Sequence, residues 1–226
     1  MGDAAGAMAF RGAATRVTAL GGRRVLPGLV DAHIHPMGIV ATGGCDLDNR
    51  ALTLAEISAA VAACVKAQKP APGAWLPVAQ WNLYNGNQPD AAHPTMRAAL
   101  DKAAPDNPVQ LLGNDGHHGA FNSAALKLAQ GPDGKAIGLS KATLAGPFKA
   151  YALLVGVGPD GEPTGGVNED ARALMGAGGL GIINRDAVMQ APEKVMQVLA
   201  ASGITAFLDA AVEPGDVVFY DTLLQR

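Results

Sequence analysis

The sequence predicts an α/β fold with parallel strands, and three stretches carry that prediction. Residues 29–35 form a compact apolar run closed by two histidines and stopped by Pro36, which cannot donate to a sheet ladder. Residues 53–68 show the clearest helical periodicity in the chain. Residues 193–209 read as a helix, a glycine stop at Gly203 and a buried strand, the αβ half of a parallel-sheet unit.

The elements follow in order. Residues 15–26 predict two short extended pieces around the Gly21-Gly22 turn. Residues 29–35 predict a buried strand with His33 and His35 at its C-terminal tip. Thr53 with Glu56 fits a capping box for the helix over 53–68. Leu54, Ile57, Val61, Cys64 and Val65 fall on one face of it, so Cys64 reads as a core position. Residues 74–81 and 108–113 predict two strands. Between them Pro94 opens a short helix to Ala104. Asn122 or Ser123 caps another, running to Gln130 with Gly131 as its stop. Pro-Asp-Gly at 132–134 and again at 159–161 predicts two reversals, the second a hairpin or a hairpin-to-helix junction. Residues 169–175 have helical character.

Composition narrows the class. Of 226 residues, 49% are hydrophobic and 16% charged, enough apolar mass for a core and too little charge for disorder. A net charge of -3 argues against a nucleic-acid partner, whose affinity comes from clustered basic residues. No targeting segment and no apolar run long enough for a membrane span is visible, which predicts a cytoplasmic setting. Cys45 and Cys64 match no metal knuckle and allow at most one disulfide, so the redox compartment stays open.

His33 and His35 carry the chemistry. Residues i and i+2 of a strand point to one face, so both imidazoles project together while Ile34 faces the other way. Two such imidazoles can hold one divalent ion. A solvated or core-satisfied pair is the structural alternative. The surrounding run, Val25-Leu26-Pro27-Gly28-Leu29-Val30-Asp31-Ala32-His33-Ile34-His35-Pro36, closely resembles the signature of the amidohydrolase superfamily. Further stretches resemble its YtcJ-like branch, amidohydrolase family 3. They are Gly73-Ala74-Trp75 with Gln80-Trp81, where glutamine takes the usual glycine position; Leu100-Asp101 with Pro105-Asp106-Asn107-Pro108-Val109; Asp115-Gly116-His117 with Asn122-Ser123; Pro163-Thr164-Gly165 with Glu169; and Gly203-Ile204-Thr205 with Asp209-Ala210.

The resemblance implies part of a metal-dependent (β/α)8 barrel, a β-sandwich remnant and a large α+β insertion after the first barrel strand. Residues 1–28 would be the sandwich remnant, and 29–50 the first barrel strand with the metal motif. Residues 51–165 would be the insertion, and 166–226 the return to the barrel with its second strand. Spacing agrees: Ile34 and Ile204 lie 170 residues apart, whereas a barrel of about 250 residues uses only about 30 per unit. The resemblance further implies a divalent metal, zinc above others, held by His33, His35 and Glu169. It also implies a small amide-type substrate contacted by Asp115, His117 and Trp81, and hydrolysis of non-peptide carbon–nitrogen bonds.

Each of these residues has a plainer reading. Glu169 is also readable as a solvated helix carboxylate, His117 as a locally bonded loop histidine, and Trp81 as a packing residue. Asp209 could face a pocket or simply end its strand, His118 reads as exposed, and His93 as a turn residue. The family's catalytic aspartate and further histidines are expected beyond residue 226, so the chain is expected to be an N-terminal portion with weak or no turnover. Unpaired barrel edges predict homo-oligomerisation. An inactive metal- or ligand-binding fragment and a metal-dependent phosphoesterase are the competing expectations.

Overall fold

The computed structural model describes residues 3–39, 44–176, 185–212 and 214–225. In chain order the elements are α1 (Ala4–Met8), β1 (Leu29–Ile34), β2 (Cys45–Asp46), α2 (Leu54–Gln68), β3 (Leu76–Trp81), α3 (Met96–Ala103), β4 (Val109–Gly113), β5 (His118–Phe121), α4 (Ser123–Leu126), α5 (Lys141–Ala145), β6 (Val155–Val157), β7 (Pro163–Asn168), α6 (Arg185–Gln190), α7 (Glu193–Ala201), β8 (Ile204–Asp209) and α8 (Pro214–Leu224). Tight 3-10 turns occupy Pro36–Gly38, Lys149–Leu154 and Glu169–Met175.

Two sheets result. The larger has the order β2-β3-β4-β5-β7-β6. β2, β3 and β4 run parallel, and the rest of the ladder is antiparallel. α2 and α3 supply Leu54, Ile57, Val61, Ala99 and Leu100 to one core with Leu76, Val78, Val109 and Leu111. Ala120 opposes Leu111 and joins that core. Phe121 opposes Gln110 and, by strand alternation, faces a second core with Leu126, Phe148, Val155 and Val167. The capping box at Thr53 and Glu56 forms as expected, and Lys69 closes α2 in the left-handed conformation. The Pro159–Gly161 reversal is a true hairpin between β6 and β7.

The smaller sheet is the parallel pair β1 and β8, with Leu29 opposite Ile204 and Ile34 opposite Asp209. α7 and α8 bury Val195, Leu199 and Phe219 against Ile34, Ile204 and Phe207. The αβ unit read at 193–209 is therefore present. Among the described residues the pair does not extend into a closed barrel.

Several expectations need correction. The strand over 29–35 is largely exposed, with Val30 at 73%, because among the described residues helices pack on one face of the pair only. No strand forms among residues 3–28, where extended pieces were expected around the Gly21-Gly22 turn. The Gly21-Gly22 turn exists, with positive φ at both glycines, but no neighbouring strand offers its flanks a ladder. Thr95, not Pro94, caps α3. α4 stops at Leu126, four residues early, since the Leu128 and Ala129 N–H groups already bond three residues back. Cys64 does more than pack beside Ile57 and Val61, for it is disulfide-bonded to Cys45.

Candidate functional site

The histidine pair sits where a short parallel strand ends. Gly28 precedes β1 and lies against the Thr205 side chain of β8, leaving no room for a Cβ. That close approach explains glycine in the Pro-Gly lead-in. Leu29 N–H donates to Gly203 O at 2.9 Å, and Ala210 N–H donates to Ile34 O at 3.0 Å, so both ends of β1 are fastened to β8. Asp31 Oδ1 accepts the His33 N–H at 3.0 Å, turning the Asp31 carboxylate onto the backbone.

His33 and His35 then project together as their spacing requires. Their ring centroids are 5.4 Å apart and the planes meet at 82°. Both are exposed. Two adjacent imidazoles fit two positions of a divalent site, but zinc in a catalytic site typically takes three protein ligands. Among the described residues no three His, Cys, Asp or Glu side chains converge on one point. Asp209, across from Ile34, does not turn to the pair: Oδ1 accepts the Ala211 N–H at 3.2 Å, and Oδ2 accepts the Tyr220 hydroxyl. Burial first, and then the bond to Asp209, pushes the Tyr220 phenol well above its usual range. Asp209 thus ends its strand structurally.

The second group of predicted residues gathers at the other sheet. Asp115 follows β4, and its Oδ1 accepts the N–H groups of His117 and His118 at 3.0 and 3.2 Å. Its Oδ2 lies 2.6 Å from His118 Nδ1 and accepts the Tyr84 hydroxyl at 3.3 Å. Burial pushes the Asp115 carboxyl up, but the bonds from His118 and His117 outweigh it and leave the group below its usual value. Glu169 begins the 3-10 turn after β7 at φ 49°, and its Oε2 lies 3.1 Å from His117 Nδ1. An ionised carboxylate only accepts, so in both pairs Nδ1 carries the hydrogen.

Glu169 is therefore engaged with His117, beside Asp115, and among the described residues it does not join His33 and His35 in a group of three. Antiparallel pairing of β5 with β7, His118 opposite Asn168, brings His117 and Glu169 together across 52 positions. Trp81 is half-buried against the α2–α3 core and donates its indole N–H to Asn87 Oδ1 at 2.7 Å, in line with its packing reading. Gln80, before it, holds φ 56°, a conformation that suits glycine. His118, read as exposed, is instead half-buried in the bond to Asp115. The Asp115-Gly116-His117-His118 order was the available signal, since an aspartate often accepts N–H groups two and three residues on. His93 is buried in its turn, with Nδ1 at 2.9 Å from Asp90 Oδ1.

This pair of histidines on a parallel strand, with its Pro-Gly lead-in, belongs to a recognised class. The amidohydrolase family profile matches residues 16–209, and the chain belongs to that family. Among curated proteins it is 32% identical over 124 residues to Protein LONG AFTER FAR-RED 3 of Arabidopsis thaliana, covering 53% of this chain and 20% of that protein. It is 32% identical over 126 residues to the Exoenzymes regulatory protein AepA of Pectobacterium carotovorum subsp. carotovorum, covering 55% and 26%. The matches thus span a fifth to a quarter of those relatives. A crystal structure described as an uncharacterized metal-dependent hydrolase from Pyrococcus furiosus aligns with 88% of this chain and 35% of its own. The identity is 17% and the TM-score 0.42. A second, so described, from Pyrococcus horikoshii OT3 aligns at 14% identity with the same TM-score, over 88% of this chain and 34% of its own.

Proposed function

We propose that the chain carries the metal-holding strand of a metal-dependent hydrolase acting on carbon–nitrogen bonds of small non-peptide amides, with zinc as the ion. The observation that carries this reading is the pair of imidazoles 5.4 Å apart at the carboxyl end of a strand parallel to its neighbour. A bound divalent ion supplies a water acidified to about neutrality and polarises the scissile carbonyl.

The chain's own residues do the positioning. Gly28 and the bonds at both ends of β1 hold the strand that presents His33 and His35. Asp115 orients His118, and Glu169 orients His117, each engaging Nδ1 and leaving Nε2 as the nitrogen for a substrate polar group. In this reading Asp115 and His117 meet the substrate, Trp81 shapes the wall behind them, and Glu169 is the carboxylate nearest the role the family resemblance gives it. No nucleic acid is a partner in this reading, and none of the described helices is long and apolar enough to cross a membrane. The outer edges of β1 and β8, which no other strand pairs with among the described residues, favour self-association.

Metal analysis of the purified chain, followed by a panel of N-acyl, formamide and aryl phosphate substrates, tests the proposal. Near-stoichiometric zinc lost on replacing His33 or His35, with hydrolysis confined to amides, supports it. Hydrolysis of the phosphate alone refutes it. A second reading, metal binding without turnover, is favoured by the lack of a third converging ligand among the described residues. It is recognised by bound metal with no hydrolysis of any panel member.

A further inference from the structure

The chain has two cysteines, and the structure joins them. Cys45 lies in β2 and Cys64 in α2, with Cα atoms 5.6 Å apart and a sequence separation of 19. Cys45 is buried and Cys64 half-buried, both in the core that α2 makes with the sheet. The bond therefore ties an edge strand to the helix covering it.

β2 is two residues long and, among the described residues, sits at the sheet edge and pairs only with β3. Beyond the ladder, Leu47 N–H donates to Ala79 O at 3.0 Å and Asn49 N–H to Gln80 O at 2.9 Å. Asp48 and Asn49 both hold φ 53°, a costly conformation for residues bearing a Cβ. Asn49 in turn receives Asn114 Nδ2 on its side chain at 2.5 Å and Asn82 Nδ2 on its carbonyl at 3.0 Å. Asn114 directly precedes Asp115. The edge strand thus fastens the loops that follow β3 and β4, next to the Asp115–His118 pair.

We propose that Cys45 and Cys64 form an oxidation site whose bonded state holds β2, and through it Asn49, against the ends of β3 and β4, and that the chain matures where disulfides form. In the oxidation each thiol gives up one proton and one electron, and the two sulfurs bond. A disulfide-bearing oxidant, a small molecule or a protein, takes up both electrons and both protons and becomes two thiols. In the reverse step an external thiolate meets Cys64 first, because Cys45 is the more deeply buried partner. Structural disulfides are rare in the cytosol, so this proposal goes with an oxidising compartment.

The test uses the full chain, expressed in an oxidising compartment and purified without reductant. Alkylation under denaturing conditions counts thiols whether or not the protein is folded. No free thiol is expected, with a mass lower by two hydrogens, and both cysteines alkylated after a dithiol reductant. Reduction is expected to lower Tm by roughly 6–12 °C, the shift that closing a loop of this size gives in a chain of this length. Amide exchange is expected to quicken at residues 45–49 and 114–115 more than in α3. The C45A/C64A protein is expected to match reduced wild type with or without reductant. Two free thiols in the unreduced protein, or equal exchange at 45–49 in both redox states, overturns the proposal.

Discussion

Gly28 and Thr205 touch so closely that position 28 accepts no side chain: a Cβ there would overlap Thr205 Oγ1 and Cγ2 and lie 2.7 Å from Thr205 Cβ. The contact lies where β1 enters its pairing with β8, so it sets the register that carries His33 and His35 outward. Gly28→Ala is expected to destabilise by about 1–3 kcal/mol, the usual cost of forcing atoms into a filled space. Thr205→Gly in the same chain should restore most of that loss. A double-mutant cycle by chemical denaturation reads the coupling, and additive losses would show that the two positions do not meet.

Gln80 offers the opposite experiment. It stands where the family resemblance expects glycine, and its φ of 56° shows why glycine is favoured there. The ladder between β3 and β4 is irregular at this point, between Val78 and Trp81. Gln80→Gly is expected to stabilise the chain by about 1 kcal/mol, because relief of left-handed strain exceeds the entropy glycine adds to the unfolded state. A lower denaturation midpoint for the variant would mean that the Gln80 side chain contributes more than its backbone costs.

The two histidine groups should separate in metal and substrate measurements. His33→Asn and His35→Asn are each expected to reduce bound zinc at least tenfold, since removing one of two adjacent ligands leaves a single imidazole. His117→Gln is expected to leave metal content unchanged and to raise KM several-fold wherever turnover is measurable. Metal lost equally from all three variants would place His117 in the metal site and undo the division drawn here.

Asp115 makes stability depend on acid. Its carboxyl is held below the usual value in the folded chain, so its contribution is present above the unfolded value of about pH 4 and is lost as pH falls through the folded one. Wild type should therefore lose more stability than Asp115→Asn on going from about pH 5 to about pH 3. Thermal melts across that window give the comparison. Parallel curves would mean that the bonds from His117 and His118 do not favour the ionised form.

Local chemistry made much of this protein legible beforehand. Thr53 and Glu56 announce α2, because a capping box spans only four residues. Pro159–Gly161 announces the β6–β7 hairpin, and Gly203 the junction between α7 and β8. His33 and His35 share a side because strand alternation acts over two residues.

Contacts across long separations were decided only by the assembled sheets. His117 meets Glu169 because β5 pairs with β7 in one register, and a slip of one residue would turn these side chains to opposite faces. Cys45 reaches Cys64 because α2 folds back over β2. The exposure of β1 likewise depends on which faces α7 and α8 cover, a matter of packing on which an apolar run of seven residues is silent. Spacing along a chain specifies what neighbours do to one another, whereas the meeting of distant residues depends on register and on the layers that bury them.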